Sequence, residues 1–451
     1  MADHARSDHA GVQAQLDRFA QLSPGRDILG LERIACLLEA IGSPHLNLPP
    51  VFHVAGTNGK GSTCAFLRSA LESAGFTAHV YTSPHLVRFN ERIRIAGKLI
   101  DDEDLANLLA EVLDAAEQTD IGPSFFEATT AAAFLAFSRI KADAAIIEVG
   151  LGGRLDATNI IPNPIVTGIA QLGLDHEAFL LDPSNGPDYP PLERIGFEKA
   201  GIAKAGAPLV VMDYPASVAH RVAEVAESAS THVIARKQDW DCALYDGKLV
   251  YRDDFGKLSL PLPRLTGPHQ AENAGLAVAM LRHQQVFNIP ESGLRAAMGW
   301  AHWPARLQLL ADGPLRALVP LAKELWLDGG HNPNAASMIS QFFGDEIEEL
   351  GKVDLVLGML ANKDAKGFLQ LLAPITRSVT AVPIPGHECH DPQALADLAA
   401  GLGIAQTATA SDVQNALKHL NAAALPGGRV AILGSLYLAG VVLAANDQLP
   451  D

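Results

Sequence analysis

The chain has 451 residues, 48% of them apolar and 19% charged, with a formal net charge of −17. That length predicts two or three domains, and the apolar share excludes a disordered chain, which lacks the surface to offset ordering entropy. The acidic balance excludes a global basic footprint for nucleic acid and disfavours anionic membranes, so positive charge for an anionic substrate must gather in one cleft. The four cysteines, Cys36, Cys64, Cys242 and Cys389, form no CxxC pair, which suits a reducing compartment. The opening MADHARSDHA is polar and lacks the apolar core of a secretory signal. The uncharged run 430–446 is shorter than the ~20 residues of a membrane helix and reads as a buried strand leading into a helix. The expected setting is the cytoplasm, with no membrane or nucleic-acid partner.

Apolar strand-like runs alternate with Ala/Leu-rich helical stretches. Strands are predicted at 51–55, 145–149, 165–169 and 208–211, and helices at 63–74, 104–116 and 129–140. Continuous apolar strands separated by helices indicate a parallel sheet covered on both faces. The Pro/Gly/Asn/Asp-rich stretch 182–191 reads as a loop. Residues 299–306 (GWAHWPAR) lack periodicity and mark a boundary, giving domains 1–300 and 301–451. The alternation then restarts, with strands at 325–327, 353–357, 379–382 and 430–433 and helices at 335–343 and 392–401. No internal repeat stands out.

The sharpest motif is Gly56-Thr57-Asn58-Gly59-Lys60-Gly61-Ser62, between the first strand and the first of these helices. Glycines let backbone N–H groups converge on phosphate oxygens, and the helix N-terminus adds a favourable dipole. Lys60 supplies a point charge for β/γ-phosphates and Ser62 a hydroxyl near the metal. Gly61, between Lys60 and Ser62, departs from the usual G-x-x-x-x-G-K-[ST] spacing.

GTNGKGS resembles the ATP loop of the Mur ligase superfamily, and more narrowly of its dihydrofolate synthase/folylpolyglutamate synthase branch. The resemblance spans nearly the whole chain, through TSPHLVRFNERI (82–93), EVGLGGRLDATN (148–159), LDH (174–176), EKAGI (198–202), HQAEN (269–273), DGGHNP (328–333) and GMLANKD (358–364). It implies an α/β protein: an N-terminal P-loop-type ATPase domain with a parallel sheet plus a C-terminal Rossmann-like domain.

Glu148 ends a strand-like run, where ligands bind in open α/β sheets, and a hard cation such as Mg²⁺ takes oxygen ligands. A single acidic residue there, Asp143 included, is equally at home in solvent. The resemblance implies two Mg²⁺ ions, one sharing Ser83 and Glu148 and the other near His176. It also implies that Lys199 resembles a carbamylated lysine, which requires a neutral amine. A free lysine beside Glu198 otherwise reads as a surface ion pair, and His85, His176 and His331 as ordinary loop histidines.

Gln270 and Asn273 share a helical face and carry amides suited to an adenine edge, or to a capping turn. The resemblance puts Asn273, Arg306 and Asp328 on ATP, Arg306 in a P-G-R segment whose glycine is here Ala305. Lys363 is a further candidate. For the pterin it implies the segments 29–32, 124–127 and 155–157, with Ser124, Phe126, Asp156 and Ala157 as contacts and Phe125 or Phe126 as the stacking ring. Arg88 and Arg92 are candidates for an anionic tail. The stretches 182–191 and 311–324 are longer than that pattern leads one to expect.

The resemblance implies a monomeric ligase. ATP phosphorylates a folate-type carboxylate, and the amine of L-glutamate displaces phosphate from the acyl phosphate, with Lys60, His176 and Lys199 at the reacting centre. The expected acceptors are 7,8-dihydropteroate and tetrahydrofolate. Two alternatives are another Mur-type amino-acid ligase, disfavoured by how little chain precedes Gly56, and a nucleotide-dependent switch, disfavoured by Glu148, His176 and Lys199 together.

Overall fold

A computed structural model describes residues 6–22, 29–322, 324–423 and 428–451. The first five residues of the polar opening and Lys323 of the 311–324 extension lie outside them. Two compact units result: Met1–Arg264 with Gln270–His302 and Asp451, and Leu265–His269 with Trp303–Pro450.

The first unit is built on eight strands: β1 (Val51–Ala55), β2 (Ala78–Tyr81), β3 (Ile93–Ile95), β4 (Lys98–Leu99), β5 (Ala144–Glu148), β6 (Val166–Ile169), β7 (Leu209–Val211) and β8 (Val233–Ala235). They lie in the order β4-β3-β2-β5-β1-β6-β7-β8, parallel from β2 to β8, with β3 and β4 as an antiparallel edge. Every residue of β1 and β5 is buried, which is why both read as unbroken apolar runs. Helices α1 (Lys60–Ser73), α2 (Phe125–Arg139) and α3 (Pro191–Ala200) belong to this unit. The helix Pro268–His283 follows a second sheet that the sequence reading passed over, β9 (Trp240–Tyr245), β10 (Lys248–Asp253) and β11 (Gly256–Pro261). Its signals were present. Trp240 and Cys242, Leu249 and Tyr251, and Leu258 and Leu260 are buried in alternation, and Asp246-Gly247, both at positive φ, make the β9–β10 hairpin turn.

The second unit has the order β12-β13-β17-β14-β15-β16, with β12 (Gln308–Leu309) antiparallel and β13 (Glu324–Leu327), β14 (Val353–Leu357), β15 (Thr376–Ala381), β16 (Gln406–Thr409) and β17 (Arg429–Leu433) parallel. The run 430–446 is β17 followed by the helix Leu436–Ala445. No helix among the described residues is long and apolar enough to cross a membrane.

Three boundaries differ from the sequence reading. The helix Glu291–Trp300 takes in the first two residues of the expected linker, because the apolar spacing of Leu294, Ala297 and Met298 carries it to its last turn. The extension 311–324 holds a 3₁₀ turn at Arg316–Leu318, and Glu324 opens β13. Within 182–191, a 3₁₀ turn forms at Pro183–Asn185 and Pro191 starts α3, a position where its missing N–H is not needed.

That last stretch is held by charge. Arg194 donates from Nε to Leu180 O at 3.1 Å and from Nη1 to Pro187 O at 2.7 Å. Its Nη2 lies 2.9 Å from Glu198 Oε1, which Arg154 Nη2 also reaches at 3.0 Å. Arg221 covers the Tyr189 ring at 4.0 Å. Arg194→Ala therefore removes one of two cations from a buried carboxylate. Urea unfolding of the first unit is expected to show a loss of about 3 kcal/mol, with 182–190 opened to limited proteolysis.

Candidate functional site

β1 leads into the glycine-rich loop, and its register sets the neighbourhood. Val54 pairs with Glu148, the last residue of β5, so this carboxylate emerges beside the start of the loop. Gly59 takes φ +87 and caps α1, which begins at Lys60 rather than after the loop. Thr57 N–H and Asn58 N–H donate to Gln171 O at 2.8 and 3.2 Å. Thr57 Oγ1 donates to Gly173 O at 3.0 Å and lies 3.1 Å from the Gly173 N–H. The segment leading into LDH is thus sewn to the phosphate loop.

Lys60 Nζ donates to Gly56 O at 3.1 Å and lies 3.9 Å from Glu148 Oε1. Lys199 Nζ, from α3, donates to the same Gly56 oxygen at 3.0 Å. Burial, then the charge of Lys60, brings the Lys199 amine down to about 7. Glu148 is buried, and its Oε2 accepts from the Ser83 N–H at 3.3 Å. Asn273 donates from Nδ2 to Gln270 Oε1 at 3.1 Å, both amides being buried. A Cβ on Gly59 would stand 2.3 Å from Asn273 Oδ1, so this amide lies against the loop. Gly61 and Ser62 are buried in the first turn of α1.

The structure therefore brings Gly56 to Ser62, Ser83, Glu148, Lys199 and Asn273 to one place. His176 is exposed at φ +53 and starts the short helix Glu177–Leu180. Asp175 before it favours the charged form of Lys199; the sequence reading passed over this carboxylate although it lies within LDH. Buried Glu148 offers hard oxygen donors, and Ser83 stands beside it through its backbone N–H. Among the described residues no three His, Cys, Asp or Glu side chains converge.

The three expected pterin segments also meet. Gly30 N–H donates to Leu155 O at 3.4 Å, and Arg33 Nε to Glu127 Oε2 at 3.1 Å. Ser124 caps α2 in a capping box with Glu127. Phe126 is half-buried and sits where a Cβ on Gly150 would reach its ring at 2.4 Å. Phe125 belongs to the core, edge-on to Phe19 and Phe89, which corrects its candidacy as a stacking ring. Arg92 is buried, donates from Nε to His85 Nδ1 at 2.8 Å and lies over the Phe89 and Phe125 rings. Its charge is therefore occupied within the core, while Arg88 is exposed. Ala157 is buried, and Asp156 accepts from Leu151 N–H at 2.8 Å.

In the second unit, Asp328 is buried and accepts from Leu307 N–H at 2.7 Å and Gly330 N–H at 2.6 Å. Burial raises its carboxyl above the usual range, opposed by Arg306. Ala305 takes φ +54, the conformation that the glycine of a P-G-R segment adopts freely. His331 Nδ1 lies 2.9 Å from Gly329 O, and the Lys363 carbonyl faces His390 Nε2 at 2.9 Å.

Residues 315–445 match the family model described as dihydrofolate synthetase, C-terminal domain. The dihydrofolate synthase/folylpolyglutamate synthase of Escherichia coli is 35% identical over 361 residues, 79% of this chain and 78% of that protein. The folylpolyglutamate synthase of Lacticaseibacillus casei is 32% identical over 91% of this chain and 92% of its own. Among solved structures, E. coli FolC in complex with DHPP and ADP superposes with a TM-score of 0.84 at 31% identity, covering 97% of each chain. The Yersinia pestis bifunctional folylpolyglutamate synthase/dihydrofolate synthase with AMPPNP and Mn ion gives 0.82 at 31% identity, covering 98% of this chain and 99% of that one.

Gly59→Ala would force a side chain into the left-handed region and onto Asn273. ADP affinity by calorimetry is expected to fall at least about tenfold, the left-handed penalty alone being roughly 1–2 kcal/mol, with the far-UV spectrum unchanged.

Proposed function

This chain belongs to the dihydrofolate synthase/folylpolyglutamate synthase family, and from that premise we propose that it joins L-glutamate to 7,8-dihydropteroate and to tetrahydrofolate. The acceptor carboxylate takes the terminal phosphoryl group of ATP, giving an acyl phosphate and ADP. The glutamate amine attacks the acyl carbon, and the tetrahedral intermediate collapses with loss of phosphate. Positioning and electrostatics carry phosphoryl transfer, and no protein nucleophile is required.

The observation that supports this reading best is the pair of lysines on the Gly56 carbonyl beside buried Glu148. Lys60 and the N–H groups of residues 56–62 would bind the triphosphate, with Asn273, Arg306 and Asp328 also assigned to the nucleotide. Ser83, Glu148, His176 and carbamylated Lys199 would hold two Mg²⁺ ions, which when bound neutralise charge on the phosphates. The carbamate forms as the neutral Lys199 amine adds to CO₂ and loses a proton; its burial and lowered pKa favour that step. Ser124, Phe126, Asp156 and Ala157 are assigned to the pterin. We assign residues 1–300 to ATP and pterin binding and 301–451 to the ligase domain, in a cytoplasmic monomer whose partners are small molecules.

The test is ADP release with each component omitted in turn. Release is expected only when glutamate and dihydropteroate, or glutamate and tetrahydrofolate, are both present. Hydrolysis indifferent to the acceptor would favour a switch. Glu148→Gln is expected to raise the half-saturating Mg²⁺ concentration at least about tenfold, a direct ligand counting for no less than the 10–100-fold of an outer-shell partner. CO₂-stripped enzyme is expected to recover activity with bicarbonate. Recovery should grow as pH rises through about 7, where the Lys199 ammonium becomes a free amine, and should be absent in Lys199→Ala.

A further inference from the structure

A buried hydrogen-bond chain runs from the central strand to the 150–159 loop. His53, the third residue of β1, is fully buried, and its Nε2 lies 2.9 Å from Thr158 Oγ1. Thr158 Oγ1 donates to Asp156 Oδ1 at 2.5 Å. A hydroxyl has one proton, and here the carboxylate takes it. Thr158 Oγ1 must therefore accept from His53, which fixes the imidazole as its Nε2–H tautomer. Burial pushes the ring down to about 3, so it stays neutral.

Asp156 in turn ties both ends of the loop. Oδ1 also accepts from Thr158 N–H at 3.0 Å, and Oδ2 from Leu151 N–H at 2.8 Å. The carboxylate thus fixes residues 151 and 158 together, and Thr158 and His53 fix the carboxylate to β1. Three residues after His53 the same strand opens the phosphate loop at Gly56.

A core strand does not need a histidine here. His53 Nδ1 is buried and has no hydrogen-bond partner among the described residues. Such a group carries a desolvation cost that an aliphatic residue avoids. Its presence is understandable if the far end of the chain has work to do.

We infer that His53 and Thr158 are positioning residues for the pterin acceptor, orienting Asp156 and the 150–159 loop from the strand that launches the phosphate loop. Neither touches the acceptor. Their effect is to hold the acceptor segment in fixed relation to the loop assigned to ATP. The inference rests on the reading that this segment receives the pterin.

The test uses the full chain in the ADP-release assay, titrating dihydropteroate and ATP separately, with urea unfolding midpoints measured alongside. Thr158→Val removes the hydroxyl and keeps the shape. It is expected to raise the KM for dihydropteroate about tenfold or more, while the KM for ATP stays within about twofold, the scale of a lost hydrogen bond to a charged group. Thr158→Ser restores the hydroxyl and should recover most of that loss. His53→Asn, a milder change read in the same way, serves if Thr158→Val does not fold, and should shift the same KM. Equal effects on both KM values, or a lowered unfolding midpoint with both KM values intact, would overturn the positioning role alone. Wild-type protein that releases no ADP with dihydropteroate would overturn the acceptor reading and this inference with it.

Discussion

The carbonyl oxygen of Gly56 is the point on which the site turns. It accepts from Lys60 at 3.1 Å and from Lys199 at 3.0 Å, so two amines from different helices converge on one backbone dipole. Two like charges this close cannot both be comfortable in a buried place. The Lys199 amine gives way, because it is the more deeply enclosed, while Lys60 keeps Glu148 within 3.9 Å. In a chain of net charge −17, two lysine side chains are thus drawn onto the glycine-rich loop.

The scaffold makes that convergence rigid. β1 and β5 are adjacent and in register, so the loop and Glu148 leave the sheet side by side. Gln171 and Gly173 brace the loop from the β6 side through Thr57 and Asn58. One residue before Lys199 on α3, Glu198 takes both Arg154 and Arg194, and Arg154 N–H donates to Glu198 O at 2.7 Å. The 150–159 loop and the helix carrying Lys199 are locked to each other by that contact. A buried carboxylate with two cations is costly to desolvate and is held by its geometry, so it serves placement more than stability.

The local strain in the second unit falls beside Arg306. Ala305 and Leu307 both take positive φ, at +54 and +41, and Asp328 holds the segment through the Leu307 N–H. A residue with a Cβ in the left-handed region gives up roughly 1–2 kcal/mol relative to its preferred conformation. The glycine of the related P-G-R pattern would avoid that cost, and here the buried carboxylate supplies the restraint.

Local sequence determined what depends on near neighbours. The central strands, the glycine-rich turn, the helix after it and the alternation that makes the two large sheets α/β were legible because parallel strands buried on both faces read as apolar runs. The glycine-rich motif itself named Lys60, the family resemblance named Glu148, Lys199 and Asn273, and the tertiary structure brought the four together. What the sequence did not reveal was long-range. Phe125 and Phe126 are chemically equal neighbours, and only packing sends the first into the core and leaves the second at the Gly150 edge. Arg92 looks like an anion ligand until His85 and two aromatic rings claim it. The extension at 182–191 is a loop, as it reads, and what the sequence leaves out is that Arg194 fastens it. Residue type fixes what chemistry a side chain can do, but its partners and its distance from water are set by segments far away in the chain, and those decide which of them do it.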